Sequence, residues 1–380
     1  MKLISYGRQY IDRKDILEVN KSLKADLITT GKYVSKFEKS IEKKFKSKFA
    51  ISCSSGTAAL HLSFLSIGLK KNDIVIMPVI NFISSYNICK IIGARIYLAD
   101  VDKSTGQITP RTVKDCIRKN KLKNIKLLIT MYLGGYPENV VNFYNLKKKY
   151  NFLIIEDACH ALGASYKYNS NWYYVGACKH SDICVFSLHP LKSITSGEGG
   201  LILTNSLKLN LKIKRFRSHG IIRSLKKHWD YDIEIPGLNY RLSDVNCALA
   251  YSQLKKLDQF INYRKKIYNI YKKTLSKNFN IKFPEYNNHN KPSFHLNLIS
   301  VNFLDIKKNK DELISYLKKK NILVQYHYIP LNNFKIYKKK ERYLNAEIYY
   351  KNTLSLPIYY NLKIKDVKKV IESINNFIKS

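Results

Sequence analysis

Through the first two thirds of the chain, short apolar runs alternate with stretches whose apolar residues recur at helical spacing. The runs at 50–52, 74–78, 95–100, 126–130, 152–156, 183–187 and 200–204 carry mostly Ile, Val and Leu at both parities. They read as strands buried on both faces, since a strand with one wet face would alternate apolar with polar. Between them, 57–67, 84–92, 109–119 and 139–150 read as helices. This alternation predicts an α/β fold: a three-layer αβα sandwich around a mainly parallel sheet.

After Gly220 the pattern changes. Residues 223–237, with one Trp, two adjacent lysines and a proline, read as a loop, and 244–275 as one long basic helix. From Phe294 the elements shorten, as at 294–301, 310–319 and 323–327, which predicts a smaller α+β domain. The expected division is a large domain over 1–243 and a small C-terminal one over 244–380.

Composition narrows the function classes. Hydrophobic residues make up 45% of the 380, ordinary for a globular chain, and no run of about 18 apolar residues predicts a membrane span. The start, Met1 to Arg8, has no apolar signal core, so a cytoplasmic enzyme is expected. The formal charge of +39 admits a nucleic-acid partner. However, the surplus comes from 56 scattered lysines against 11 arginines, beside much Ile, Asn and Tyr, which share A/T-rich codons. Compositional drift is the better reading, with no nucleic acid and no membrane as partner. The seven cysteines form no Cys-x-x-Cys pair, and Cys178, His180 and Cys184 match no common zinc spacing. Buried thiols in a reducing compartment, and no metal, are expected.

Candidate chemistry centres on 187–200, Ser-Leu-His-Pro-Leu-Lys-Ser-Ile-Thr-Ser-Gly-Glu-Gly-Gly, which joins two apolar strands. Lys192 thus sits where solubility does not need it, and a partly dehydrated lysine can form a Schiff base with an aldehyde. Taken alone it would read as a solvated loop lysine, one of 56 in the chain. Asp157, in Glu-Asp-Ala-Cys-His, ends a buried strand at the edge where parallel sheets hold ligands. It suits a cofactor's ring nitrogen, or it is merely a helix cap. Ser54-Ser55-Gly56-Thr57 is a small-residue turn entering a helix, a pattern that suits phosphate. Phe82 follows another strand and either stacks on a ring or packs in the core.

Together these segments resemble the DegT/StrS-type nucleotide-sugar aminotransferases, which are fold-type-I pyridoxal-phosphate enzymes. The resemblance spans nearly the whole chain. It takes in Tyr6-Gly7-Arg8-Gln9, Thr29-Thr30-Gly31-Lys32, the Ser-Gly-Thr turn, Glu156-Asp157-Ala158 and the Lys192 loop. Further on it takes in Phe216 to Gly220, Gly237 to Asp244 and Val324 to Pro330. Some members carry histidine in place of the lysine and act as dehydratases; here the lysine is present, which favours transamination. The runs Arg217 to Ile221 and His327 to Pro330 look like the subgroup of pseudaminic acid biosynthesis, while the segment Tyr132 to Asn139 departs from the Gly-Gln pattern expected after that strand.

The resemblance implies pyridoxal 5'-phosphate held covalently by Lys192, which also moves the proton. Asp157 would hold the ring nitrogen, with His160 near the phenolic oxygen and Phe82 on the ring face. Gly56, Thr57 and Ser187 would bind the phosphate, and Asn239 would arrive from a second subunit of a homodimer with shared sites. Tyr6, Thr30, His295 and His327 are the substrate candidates. L-glutamate would donate the amino group and a UDP-4-keto-6-deoxy-N-acetyl-hexosamine would take it at C4. The alternatives are another sugar aminotransferase, a sugar dehydratase, or a non-catalytic relative that binds nucleic acid.

Overall fold

A computed structural model describes residues 3–224, 227 and 229–380. Phe49–Cys53, Ile74–Pro78, Arg95–Ala99, Ile125–Met131, Leu153–Asp157, Ile183–Ser187 and Gly200–Thr204 form one seven-stranded sheet. Across it the strands run first, seventh, sixth, fifth, fourth, second, third. The second to sixth are parallel neighbours, and the seventh runs against both of its own. The sheet is therefore mainly parallel.

Successive strand residues supply opposite cores, which is why apolar residues were needed at both parities. Val75, Met77, Leu127 and Ile129 pack with helices Gly56–Ser66 and Ile83–Ile92 on one face. Ile74, Ile76, Leu128 and Ile154 pack with Pro110–Lys119 and Val140–Tyr150 on the other. Each such side chain, fully buried, contributes about 1.5–3 kcal/mol. A further core joins Phe37, Ile41 and Phe45 of helix Lys32–Phe45 to Ala248 and Leu254 of helix Asp244–Leu254, over Phe186 and Leu203 of the sheet.

Toward the C-terminus, strands Ile281–Lys282, Asn297–Val301 and Thr353–Leu356 form a small antiparallel sheet. Helices Leu257–Leu275, Lys310–Lys319 and Ile364–Lys379 enclose its core, which includes Tyr271, Ile299, Leu317 and Ile374. Three expectations need correction. The single helix over 244–275 is two, Asp244–Leu254 and Leu257–Leu275. The stretch 223–237 is not all loop: Ile221–Arg223 pairs with Tyr231–Ile233; Lys226, one of its two adjacent lysines, lies outside the described residues. Residues 323–327 form no strand, only an isolated bridge of Gln325 to Ser355. Among the described residues, no helix is long and apolar enough to cross a membrane.

Candidate active site

The carboxyl ends of the parallel strands open into a cavity of about 520 Å³. Asp157, the last residue of its strand, is buried in the cavity wall and accepts the Cys159 N–H at 3.3 Å. Burial raises its pKa, and the nearby Cys159 N–H and Lys192 only partly offset this. Lys192 lines the same cavity, in the loop between strands Ile183–Ser187 and Gly200–Thr204. Burial lowers its amine pKa, partly offset by Cys159 and Asp157.

That loop is held in shape by its own backbone. Leu188 N–H donates to Gly199 O, Ser196 N–H to Leu188 O and Lys192 N–H to His189 O, at 2.8–3.0 Å. Asn246 Nδ2 anchors it from outside through Ser196 O at 2.6 Å.

On the facing side, helix Gly56–Ser66 points its first turn at the cavity. Ser55 Oγ caps Ala58 N–H at 3.0 Å, while the N–H groups of Gly56 and Thr57, like those of any first turn, lack an intrahelical acceptor. A Cβ on Gly56 would stand 3.0 Å from Ser187 Cβ and 3.4 Å from its Oγ, so glycine lets the start of this helix pack close to Ser187. Thr57 Oγ1 lies 2.9 Å from Ser84 Oγ. Phe82, 53% exposed, presents its ring on the wall.

The C-terminal part of the chain brings His295 and His327 to His160, with ring centroids 4.3 and 6.1 Å away. Burial lowers the pKa of all three, that of His327 to about 3. His327 Nδ1 bonds Ser355 Oγ at 2.8 Å, and Tyr6 leans on the His327 ring at 6.0 Å.

Ten residues expected from the sequence therefore share one cavity: Tyr6, Gly56, Thr57, Phe82, Asp157, His160, Ser187, Lys192, His295 and His327. Thr30 and Asn239 do not join them. Both are exposed: Thr30 flanks the bridge of Thr29 to Ser243, and Asn239 bridges Ser218. The cavity also contains residues that sequence reasoning gave no role. Asn81 is 1% exposed, and neither atom of its amide has a partner among the described residues. Cys159 and Tyr328 line the same space. Asn81 and Tyr328 stood inside motifs already singled out, next to Phe82 and His327, and that adjacency was the available signal.

Residues 9–375 match the model of the DegT/DnrJ/EryC1/StrS aminotransferase family. The UDP-4-amino-4,6-dideoxy-N-acetyl-beta-L-altrosamine transaminase of Campylobacter jejuni is 37% identical over 98% of this chain and 96% of its own. Among solved structures, the fold is similar to Helicobacter pylori PseC, an aminotransferase involved in the biosynthesis of pseudoaminic acid. That likeness has a TM-score of 0.90 at 25% identity and covers 100% of both chains. A putative sugar aminotransferase of Streptococcus pneumoniae, solved in its PLP form, shares the fold with a TM-score of 0.89 at 22% identity, covering 100% of this chain and 99% of the other.

Proposed function

The chain belongs to the DegT/DnrJ/EryC1/StrS aminotransferase family, and from that premise we infer that it is a pyridoxal-phosphate-dependent nucleotide-sugar transaminase. Glutamate gives the amino group. The acceptor is a UDP-linked 4-keto-6-deoxy-N-acetyl-hexosamine, aminated at C4 for pseudaminic acid or a related surface glycan. One observation carries this reading: Lys192, an amine whose pKa is lowered by burial, shares a cavity with a buried carboxylate and an open helix turn.

The residues present fit the cofactor. Asp157 is a buried carboxylate whose charge is costly until a cation meets it, and a protonated ring nitrogen would offset that cost. The free first turn at Gly56, close to Ser187 on the cavity wall, suits a phosphate, with the Thr57 and Ser187 hydroxyls and the Gly56 and Thr57 N–H groups as donors. Phe82 offers an apolar face for the ring. When bound, pyridoxal phosphate supplies an aldehyde that condenses with amines and a ring that takes up the electron pair left by a departing proton.

The chain's own groups do the rest. A lowered amine pKa gives Lys192 a larger neutral fraction near pH 7, as a nucleophile and then a proton carrier requires. The loop bonds around Leu188 and Ser196 keep that amine in reach without further ordering at the moment of reaction. Tyr6, His295 and His327 supply polar atoms for the sugar.

A homodimer completes the site, with Asn239 delivered from the second copy. Two features support it: Asn239 is exposed, and Ile16, Leu17, Leu23, Leu27 and Ile28 leave large apolar side chains on the surface. All seven cysteines are free, which supports work in the reducing cytoplasm. The test is incubation with glutamate and a panel of UDP-, GDP- and dTDP-ketosugars, with products read by mass spectrometry and NMR. A 4-amino sugar and 2-oxoglutarate are expected. A deoxygenated sugar without nitrogen would make the protein a dehydratase.

A further inference from the structure

Tyr328 lines the cavity, its ring leaning on Phe82 and on His160 with centroids 5.7 and 5.9 Å away. Its hydroxyl lies 2.9 Å from His160 Nε2. Which atom carries the proton between them follows from the other ring nitrogen. Gly134 N–H points at His160 Nδ1 across 3.4 Å. An N–H requires a lone pair, so Nδ1 is the unprotonated nitrogen. Burial, reinforced by Lys192 and His295, keeps this imidazole neutral, with its single proton on Nε2.

The backbone enforces that arrangement. Gly134 and Gly135 hold φ of 71° and 91°, the left-handed region where glycine is at ease. A Cβ on Gly135 would strike Ser293 Oγ and His160 O, two atoms already joined by a 2.7 Å hydrogen bond. His295 N–H donates to Gly134 O at 2.9 Å, fixing the turn from the other side. The Gly134-Gly135 turn thus aims one N–H at His160.

Nε2–H therefore donates to Tyr328 Oη, and the hydrogen of Tyr328 must go elsewhere. Among the described residues that hydroxyl has no other hydrogen-bond partner, and the space beside it is the cavity. We propose that Tyr328, rather than His160, donates the hydrogen bond to the phenolic oxygen of bound pyridoxal phosphate, and that His160 is a positioning residue fixing the direction of the tyrosine proton. This rests on the function inferred above. The cofactor's other polar groups are accounted for, its ring nitrogen by Asp157 and its phosphate by the Gly56 turn. Its ring platform, Phe82, is Tyr328's neighbour. A donor aimed at the phenolic oxygen favours the ionised form.

The test reads the cofactor's colour rather than turnover. Wild-type protein, Tyr328→Phe and His160→Gln are loaded with pyridoxal phosphate and their visible absorbance is titrated with pH, without substrate. Besides His160 and Tyr328, the titratable groups lining the cavity are Tyr6, Asp157, Cys159, His189, Lys192, Glu198, His295, Tyr326 and His327, and they are common to all three proteins. Tyr328→Phe is expected to raise the spectral pKa by about one unit, a roughly tenfold gain in proton affinity. His160→Gln retains a donor for the tyrosine and is expected to shift it less than about threefold. A Tyr328→Phe profile identical to wild type overturns the proposal. So does a tenfold shift in His160→Gln, which decides the matter alone if Tyr328→Phe does not fold. Wild-type protein that takes up no chromophore would instead overturn the functional reading, and this inference with it.

Discussion

Three buried imidazoles, His160, His295 and His327, have pKa values lowered first by burial and then by neighbouring cations such as Lys192. In the unfolded chain each binds a proton near pH 6.5; folded, His327 resists until about pH 3. The unfolded state therefore binds more protons across that window, and stability falls as pH drops through it, by up to about 1.4 kcal/mol per pH unit per histidine. Urea unfolding of the cofactor-free protein is expected to show this loss from pH 6.5 to 5, with His327→Gln removing about one histidine's share. An unchanged slope in that variant would contradict the assignment. Asp157 acts in the opposite sense, its raised pKa removing stability as pH rises, and Asp157→Asn separates the two effects. At this scale the sequence was partly legible. Lys192, Asp157 and Gly56 each sit in a motif whose chemistry is local. Tyr328 meets His160 across 168 positions, and no periodicity records that meeting.

Strands declared themselves because burial on both faces demands apolar residues at both parities, and the seven sheet strands fall within a residue or two of their expected bounds. The helix pair around Asp244 did not, because its determinants are tertiary. Helix Lys32–Phe45 begins at Gly31 with no side-chain cap of its own. Its cap is Asp244, over two hundred positions away, whose carboxylate accepts the N–H groups of Gly31, Tyr33 and Val34 at 2.6, 2.7 and 3.3 Å. The break after Leu254 is likewise non-local. In that break Lys256 pairs with both Asp12 and Asp15, at 3.0 and 2.5 Å, residues from the far end of the sequence. Asp244→Ala leaves three donors at the start of that helix unpaired, the Tyr33 N–H among them buried, and should cost about 2–4 kcal/mol. Denaturant midpoints would check this. A loss below about 0.5 kcal/mol would mean water replaces the cap.

For the whole molecule, the proposed dimer would account for an exposed Asn239 and for the exposed Ile and Leu side chains near the N-terminus. If sites are shared, mixing inactive Lys192→Ala with inactive Asn239→Ala regenerates one intact site in each mixed dimer. Activity should return on mixing after partial unfolding and refolding, and light scattering should give twice the 44.3-kDa chain mass. Mixtures as inactive as their parents would refute sharing. The covalent state of the whole protein tests the aminotransferase assignment most directly. Borohydride is added to the protein loaded with pyridoxal phosphate, and the reduced chain is digested and mapped by mass. Cofactor fixed on the peptide carrying Lys192, and absent from that of Lys192→Ala, is the expected result. Label on a different lysine, or on none, would contradict it.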